Sequence, residues 1–351
     1  MLKRTSLIFL VISISMFTST IFIYKNNAAK TESYKFVPSK SYKFVPSKSY
    51  TSLPSESYKS LPSESYKSVP SESYKSVPSE SYKSVPSESY TFVPSESLKD
   101  IAMNSGLSEE ANITVCNLKG LCEHLNGNEQ LLSVASLMKL PIAVALIEKI
   151  TTNNIDINTQ IYLEPENFTE DNSTLDAGNN YTLKELLSEM IINSSNIAPN
   201  QLIDYLSRSY INQVLEEQDY KILRVNSKFI GDYIIPYDMG FIPNTANSDE
   251  LTIMMVRIYS NLHLTHYKLL ATLLAQQHDH DLGFTALENT KVQWMGEKTG
   301  QNAGVLGTTL AIKVSGEIYI ITVIDDGDYS EIALRKSITN IADYIFKKES
   351  F

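Results

Sequence analysis

The chain has 351 residues and a mass of 39.4 kDa, and its 42% hydrophobic and 20% charged residues exclude wholesale disorder and a collagen-like rod. Its 30 basic and 40 acidic residues leave a net charge of −10 and a pI of about 5.1, which argues against a nucleic-acid partner, because such chains present a basic face. The charge is split: residues 1–96 carry 12 basic and 7 acidic groups and residues 97–351 carry 18 and 33, so the first segment is +5 and the second −15.

Lys3 and Arg4 precede an uncharged run, residues 6–24, that Lys25 closes. Basic residues followed by an apolar stretch direct export. The run is long enough to span a bilayer as a helix, so residues 1–30 read as an uncleaved signal anchor or as a signal cleaved after Ala29. Both readings place the remainder outside the cytoplasm of a bacterium, membrane-anchored or secreted.

Residues 31–96 read as a stalk. Residues 33–96 are eight tandem octapeptides with one proline in each, from Pro38 and Pro46 to Pro86 and Pro94. Proline at every eighth position forbids a long helix, and Ser, Lys and Glu dilute the apolar positions too far for a core. At ~3.1 Å per residue such a segment reaches on the order of 200 Å when stretched. It is expected to space a domain away from the membrane; contact of its tyrosines with cell-wall polymer is the alternative.

Residues 97–351 are expected to form one domain. A short amphipathic helix is predicted over 97–105, then a hairpin of strands 113–117 and 121–125. Cys116 and Cys122 flank its turn, paired as a disulfide or buried as two small hydrophobes. A strongly apolar helix follows over 136–150. The next, over 182–192, opens with Thr182 and, three residues on, Glu185, the pattern of a capping box. Further helices are predicted over 200–207, 249–260 and 265–277. His278-Asp279-His280-Asp281 follows and reads as a solvated loop rather than a metal site. Three strands, 292–299, 305–314 and 317–324, and a helix over 329–347 close the chain. Strand pairs at both ends with helices between them predict an α/β (α+β) fold. Its sheet is expected to be antiparallel and five-stranded, flanked by helices and carrying a mostly helical lobe.

Three short motifs carry chemistry. In Ser136-Leu137-Met138-Lys139 the hydroxyl and the amine lie one helical turn apart, and a buried amine with a lowered pKa can take a serine proton. Ser194-Ser195-Asn196 puts a hydroxyl and an amide two residues apart just past a helix end. Lys298-Thr299-Gly300 offers a cation, a hydroxyl and a residue that lets a ligand approach the backbone. Each alone is common. In this order, at these spacings, they resemble the motif set of class A β-lactamases and penicillin-binding proteins.

That resemblance covers about 97–351 and implies a β-lactamase/transpeptidase-like fold with serine acyl-transfer chemistry and neither cofactor nor metal. It makes Ser136 the nucleophile, Lys139 its base and Ser194 the proton relay to the leaving nitrogen. Asn196 would bind a substrate amide, and Lys298 and Thr299, beside Gly300, a substrate carboxylate. The backbone N–H groups of Ser136 and Gln301 would hold the oxyanion. The expected partner is a β-lactam or a peptidoglycan peptide.

Two departures stand out. Ser195 takes the place of the usual Asp, and no Glu-x-x-Leu-Asn string precedes residue 249, so the family's deacylating carboxylate has no counterpart in sequence. Ungapped counting puts Gly231 in that slot and matching 242–244 puts Ile235 there, with Asp232 and Asp238 the nearby acids. The last strand also lacks the arginine that many β-lactamases use against a substrate carboxylate. The leading reading is a β-lactamase-like serine hydrolase, slow in deacylation. The alternatives are a penicillin-binding D-Ala-D-Ala peptidase or penicillin sensor, and a wall-anchored interaction protein whose catalytic fold no longer turns over.

Overall fold

The computed structural model describes residues 90–132, 134–169, 174–231 and 235–349. The apolar run 6–24 and the first seven repeat copies lie outside the described residues. Among the described residues no helix is long and apolar enough to cross a membrane.

The last repeat copy departs from the one before it. Residues 83–85 are Lys-Ser-Val, whereas 91–93 are Thr-Phe-Val, a β-branched and aromatic run suited to a strand. It forms β1 (Thr91–Pro94), and Ser95 caps α1 (Glu96–Ser105) by accepting from the Leu98 N–H at 3.3 Å. Next come β2 (Asn112–Asn117) and β3 (Leu121–Leu125), joined by Cys116–Cys122, directly paired residues whose Cα atoms stand 4.1 Å apart. After β4 (Leu131–Leu132), a 3₁₀ turn (Ala135–Met138) leads into α2 (Lys139–Thr152). Strands β5 (Gln160–Tyr162) and β6 (Asn180–Thr182) precede α3 (Leu183–Ile192), α4 (Ile197–Leu206) and α5 (Arg208–Glu217). A long loop then reaches β7 (Thr245–Ala246), α6 (Ser248–Ser260), α7 (Thr265–Leu274) and α8 (Gly283–Leu287). The chain closes with β8 (Gln293–Gln301), β9 (Val305–Val314), β10 (Glu317–Asp326) and α9 (Glu331–Glu349).

The main sheet has six strands in the order β1-β3-β2-β10-β9-β8. The sequence expectation of five antiparallel strands is corrected here. The extra strand, β1, runs parallel to β3, and the repeat pattern had hidden it. On one face of the sheet α1, α8 and α9 bury Leu98, Leu334, Ile338 and Ile341. On the other, α6 leads into the helical lobe around α2.

Helix α2 decides where the chemistry sits. Its residues 140–147 are all apolar, so no face suits water and the helix lies at the centre of the lobe. At roughly 1.5–3 kcal/mol for each buried Ile, Leu or Val, this helix is strongly drawn inward, and it takes its first residue, Lys139, with it to full burial. The predicted capping box forms as read: Thr182 Oγ1 accepts from Glu185 N at 3.1 Å and Glu185 Oε2 accepts from Thr182 N at 2.7 Å.

Candidate active site

The 3₁₀ turn is the hinge of the site. Ala135 has φ +49°, a left-handed conformation that costs an alanine on the order of 1 kcal/mol or more, and it turns Ser136 to the lobe edge. Ser194 is likewise left-handed, at φ +54°. Strained backbone therefore lies at Ser194 itself and at the residue just before Ser136. Gly300 has a steric role here, because a Cβ on it would stand 2.8 Å from Leu137 N and 2.9 Å from Val134 O. Only a glycine lets β8 press against the Ser136 turn.

The structure brings the three motifs together. Lys139 Nζ lies 2.9 Å from Ser136 Oγ, 3.3 Å from Ser194 Oγ and 2.7 Å from Asn196 Oδ1, and it also donates to the Ser194 carbonyl. Lys298 Nζ donates to Ser194 Oγ at 3.0 Å and to Thr299 O at 2.9 Å. The Ser194 hydroxyl thus bridges two buried lysines. Burial pushes the Lys298 ammonium down to about 8, although the charges of Asp279 and Glu297 hold it up. Ser195, in the usual place of an Asp, satisfies the start of α4 from one residue before its N-cap, Asn196: its Oγ accepts from the N–H groups of Ile197 (3.2 Å) and Ala198 (3.4 Å).

Gln301 lies on the open edge of the sheet. The Asn302 N–H donates inward to Val305 O at 2.9 Å, so by strand alternation the Gln301 N–H faces away from β9. It sits one residue beyond Gly300, beside the Ser136 turn. Asn196 is committed on both sides, with Oδ1 on Lys139 and Nδ2 donating to Ile230 O at 3.1 Å. It links the site to the loop that follows α5.

That loop carries what sequence reading missed. Asn200 grips both backbone groups of Phe229, accepting from its N–H at 2.7 Å and donating to its carbonyl at 2.9 Å. Next to it, the buried Lys228 ammonium meets three acceptors: Asn167 Oδ1 at 2.7 Å, Asp204 Oδ2 at 2.8 Å and Tyr237 O at 2.9 Å. Its three protons are all used, which is what makes burying a cation tolerable. Held from both sides, the Phe229 ring stands with its centroid 5.2 Å from Lys139 Nζ.

Phe229, not Gly231 or Ile235, is therefore the loop residue that faces the lysine. Ungapped counting assumed a loop length that this chain does not keep. Gly231 packs on Thr169, whose carbonyl would stand 1.9 Å from an added Cβ, and Ile235 is exposed. Asp238 pairs with Arg208 at 2.9 Å on the surface, and that guanidinium holds its carboxyl below the usual range. Asp232 lies outside the described residues.

The 278–281 segment is exposed, as expected of a solvated loop, and one of its acids reaches the third motif. Gln277 Oε1 accepts from the Thr299 N–H at 3.2 Å, Gln277 Nε2 donates to Thr299 Oγ1 at 2.9 Å, and Thr299 Oγ1 donates to Asp279 Oδ2 at 2.6 Å. His280 stacks on Phe284 with centroids 4.2 Å apart. Among the described residues no group of three or more His, Cys, Asp or Glu side chains is placed to hold a metal.

A serine beside a buried lysine, with a second serine bridging two lysines at a sheet edge, defines a site of the β-lactamase type. Residues 94–348 match the Beta-lactamase enzyme family, and the chain belongs to it. No curated protein matches in sequence. Among solved structures, the β-lactamase of Sphaerobacter thermophilus is 18% identical, with a TM-score of 0.61 over 72% of this chain and 97% of that one. A leucine-to-glutamate mutant of PBP-A, in its acyl-enzyme complex with penicillin G, is 20% identical, with a TM-score of 0.61 over 73% and 98%. A β-lactamase from Chitinophaga pinensis is 15% identical, also at 0.61, over 72% and 97%. At these identities the likeness is one of fold.

Proposed function

We propose that this protein is a serine acyl-transfer enzyme of the penicillin-binding type, acylated at Ser136 by β-lactams or peptidoglycan peptides and slow to release the acyl group. The observation that carries the reading is the chain of contacts from Ser136 through Lys139 and Ser194 to Lys298. The Ser194 carbonyl and Asn196 Oδ1 can only accept, so they take two N–H groups of Lys139. A neutral Lys139 then directs its lone pair at the Ser136 hydroxyl. As Oγ bonds to the substrate carbonyl carbon, its proton passes to Lys139. When the C–N bond breaks, Ser194 hands a proton to the leaving nitrogen and is reprotonated from Lys139. The N–H groups of Ser136 and Gln301 take the oxyanion, where a single donor is worth roughly a hundred- to thousandfold in turnover.

Slow release is favoured by Phe229. A general base for the deacylating water is worth roughly a hundred- to ten-thousandfold, and a phenyl ring supplies none. The leucine-to-glutamate mutant of PBP-A, which shares the fold, has been captured as an acyl-enzyme with penicillin G. Export on a stalk is part of the same proposal, supported by the run 6–24 and by a disulfide at Cys116–Cys122, a bond that persists in oxidising compartments. Stopped-flow absorbance with a chromogenic cephalosporin tests the reading. A burst of about one product per active site followed by slow turnover is expected; fast linear turnover without a burst would contradict it.

A further inference from the structure

A third buried lysine, Lys228, has no part in acyl transfer, and it lies against the fully buried amide of Asn167. Hydrogen bonds fix how that amide is turned. The Glu164 backbone N–H can only donate, so the Gln201 atom facing it at 2.8 Å is Oε1. The same Oε1 lies 3.1 Å from the Asn167 amide, which therefore presents its nitrogen there. Asn167 Nδ2 also donates to Asp204 Oδ2 at 2.7 Å, which leaves Oδ1 to face Lys228 Nζ, again at 2.7 Å. Asp204 Oδ2 reaches Lys228 Nζ as well, at 2.8 Å. One carboxylate oxygen thus bridges the amine of Lys228 and the amide nitrogen of Asn167. The 2.7 Å contact and a C=O bond of ~1.23 Å hold Nζ within about 3.9 Å of Cγ, just outside the roughly 3–3.5 Å of reacting atoms.

We propose that Lys228 and Asn167 become joined by an isopeptide bond, with Asp204 as the proton carrier and ammonia as the leaving group. The bond is independent of the acyl-transfer reading above. Asp204 takes one proton from the Lys228 ammonium, and the lone pair this frees on Nζ attacks Asn167 Cγ. Asp204 then hands that proton to Nδ2 as the Cγ–Nδ2 bond breaks. Ammonia leaves and becomes ammonium with the second proton that Nζ sheds. The third proton stays on Nζ as the amide N–H, where Tyr237 O already accepts it at 2.9 Å. The reaction removes a buried cation, whose desolvation is costly, and puts a neutral amide in its place. Asp204, with its side chain 37% exposed, opens the way out for the ammonium. The cross-link ties positions 61 residues apart and fixes the chain next to Phe229.

The test is a tryptic map of the full-length protein, reduced, denatured and read by mass spectrometry. The expected product is a branched peptide joining the Asn167 and Lys228 segments, lighter than their sum by about 17 Da, the mass of one ammonia. Trypsin should not cut after Lys228. The isosteric Asp204→Asn cannot carry the proton and should give two separate linear peptides, whereas Asp204→Glu, which keeps a carboxylate, should restore some of the branched product. The wild-type map decides the matter without any variant: cleavage after Lys228 beside an unmodified Asn167, or an Asn167 merely hydrolysed to Asp, would overturn the proposal. A branched peptide as abundant in Asp204→Asn as in the wild type would overturn the role given to Asp204.

Discussion

Phe229→Glu is the substitution on which the account of deacylation turns. A glutamate carboxyl carbon and a phenylalanine ring centre stand at about the same distance from Cα, so the new carboxylate falls near the present centroid, 5.2 Å from Lys139 Nζ. Two hydrogen bonds of about 2.8 Å that meet at a water's near-tetrahedral angle span about 4.6 Å, and a carboxylate oxygen stands about 1.2 Å from its carbon, so a single water fits between the two groups. Since Lys139 is 2.9 Å from Ser136 Oγ, that water also lies next to the ester. The backbone need not move, because Asn200 holds Phe229 through main-chain atoms alone. Loss of the buried ring costs roughly 3–5 kcal/mol, so the variant should fold with a lowered Tm. The lifetime of a fluorescent-penicillin adduct should fall by roughly a hundred- to ten-thousandfold. Phe229→Leu, which removes the ring without adding a base, should not approach that effect. An adduct as durable in Phe229→Glu as in the wild type would refute the reasoning.

The acylation rate should fall on the alkaline side with a midpoint near pH 8. Lys298 is charged below its depressed value of about 8 and neutral above it, so its hold on the substrate weakens as pH rises. A limb near 10 or absent from the pH–rate profile would show that Lys298 does not govern binding. Replacing Cys116 and Cys122 by Ser should cost about 2 kcal/mol, the loop entropy of a short closed ring. A calorimetric scan should show a Tm several degrees lower, with acylation unchanged because the bridge lies in the β2–β3 hairpin away from Ser136. A chain beginning at residue 97 should be less stable than one beginning at residue 90. It lacks β1, the Ser95 cap and the Ser95–Glu123 hydrogen bond of 2.7 Å, and the cap alone is worth about 1 kcal/mol. Equal urea midpoints for the two chains would show that β1 adds nothing.

What could be read in the sequence was local or strongly patterned. Ser136 and Lys139 are one turn apart on an apolar helix, and Thr182 and Glu185 lie at capping distance, so four residues of context suffice for each. The meeting of Ser194 with Lys298 across 104 residues was legible only through the resemblance of the motif set, not from the spacing itself. The misses share one physical cause, that a loop's path is set by its anchors. Phe229 reaches Lys139 because Asn200 and Lys228 pin the backbone on either side of it, and the number of intervening residues says nothing of that. Asp279 lies in the exposed stretch expected, but its contact with Thr299, twenty residues away in a strand, left no local sign. Strand β1 was hidden by its likeness to seven copies of a spacer, two of which carry the same Phe-Val-Pro run, at 36–38 and 44–46.

The central claim, that Ser136 carries the acyl group, is tested most directly by peptide mapping after a brief exposure to penicillin. The account predicts an adduct of one penicillin mass on the peptide containing Ser136, persistent through the digest, and none on the Ser136→Ala protein. An adduct on any other residue, or labelling that survives Ser136→Ala, would contradict it.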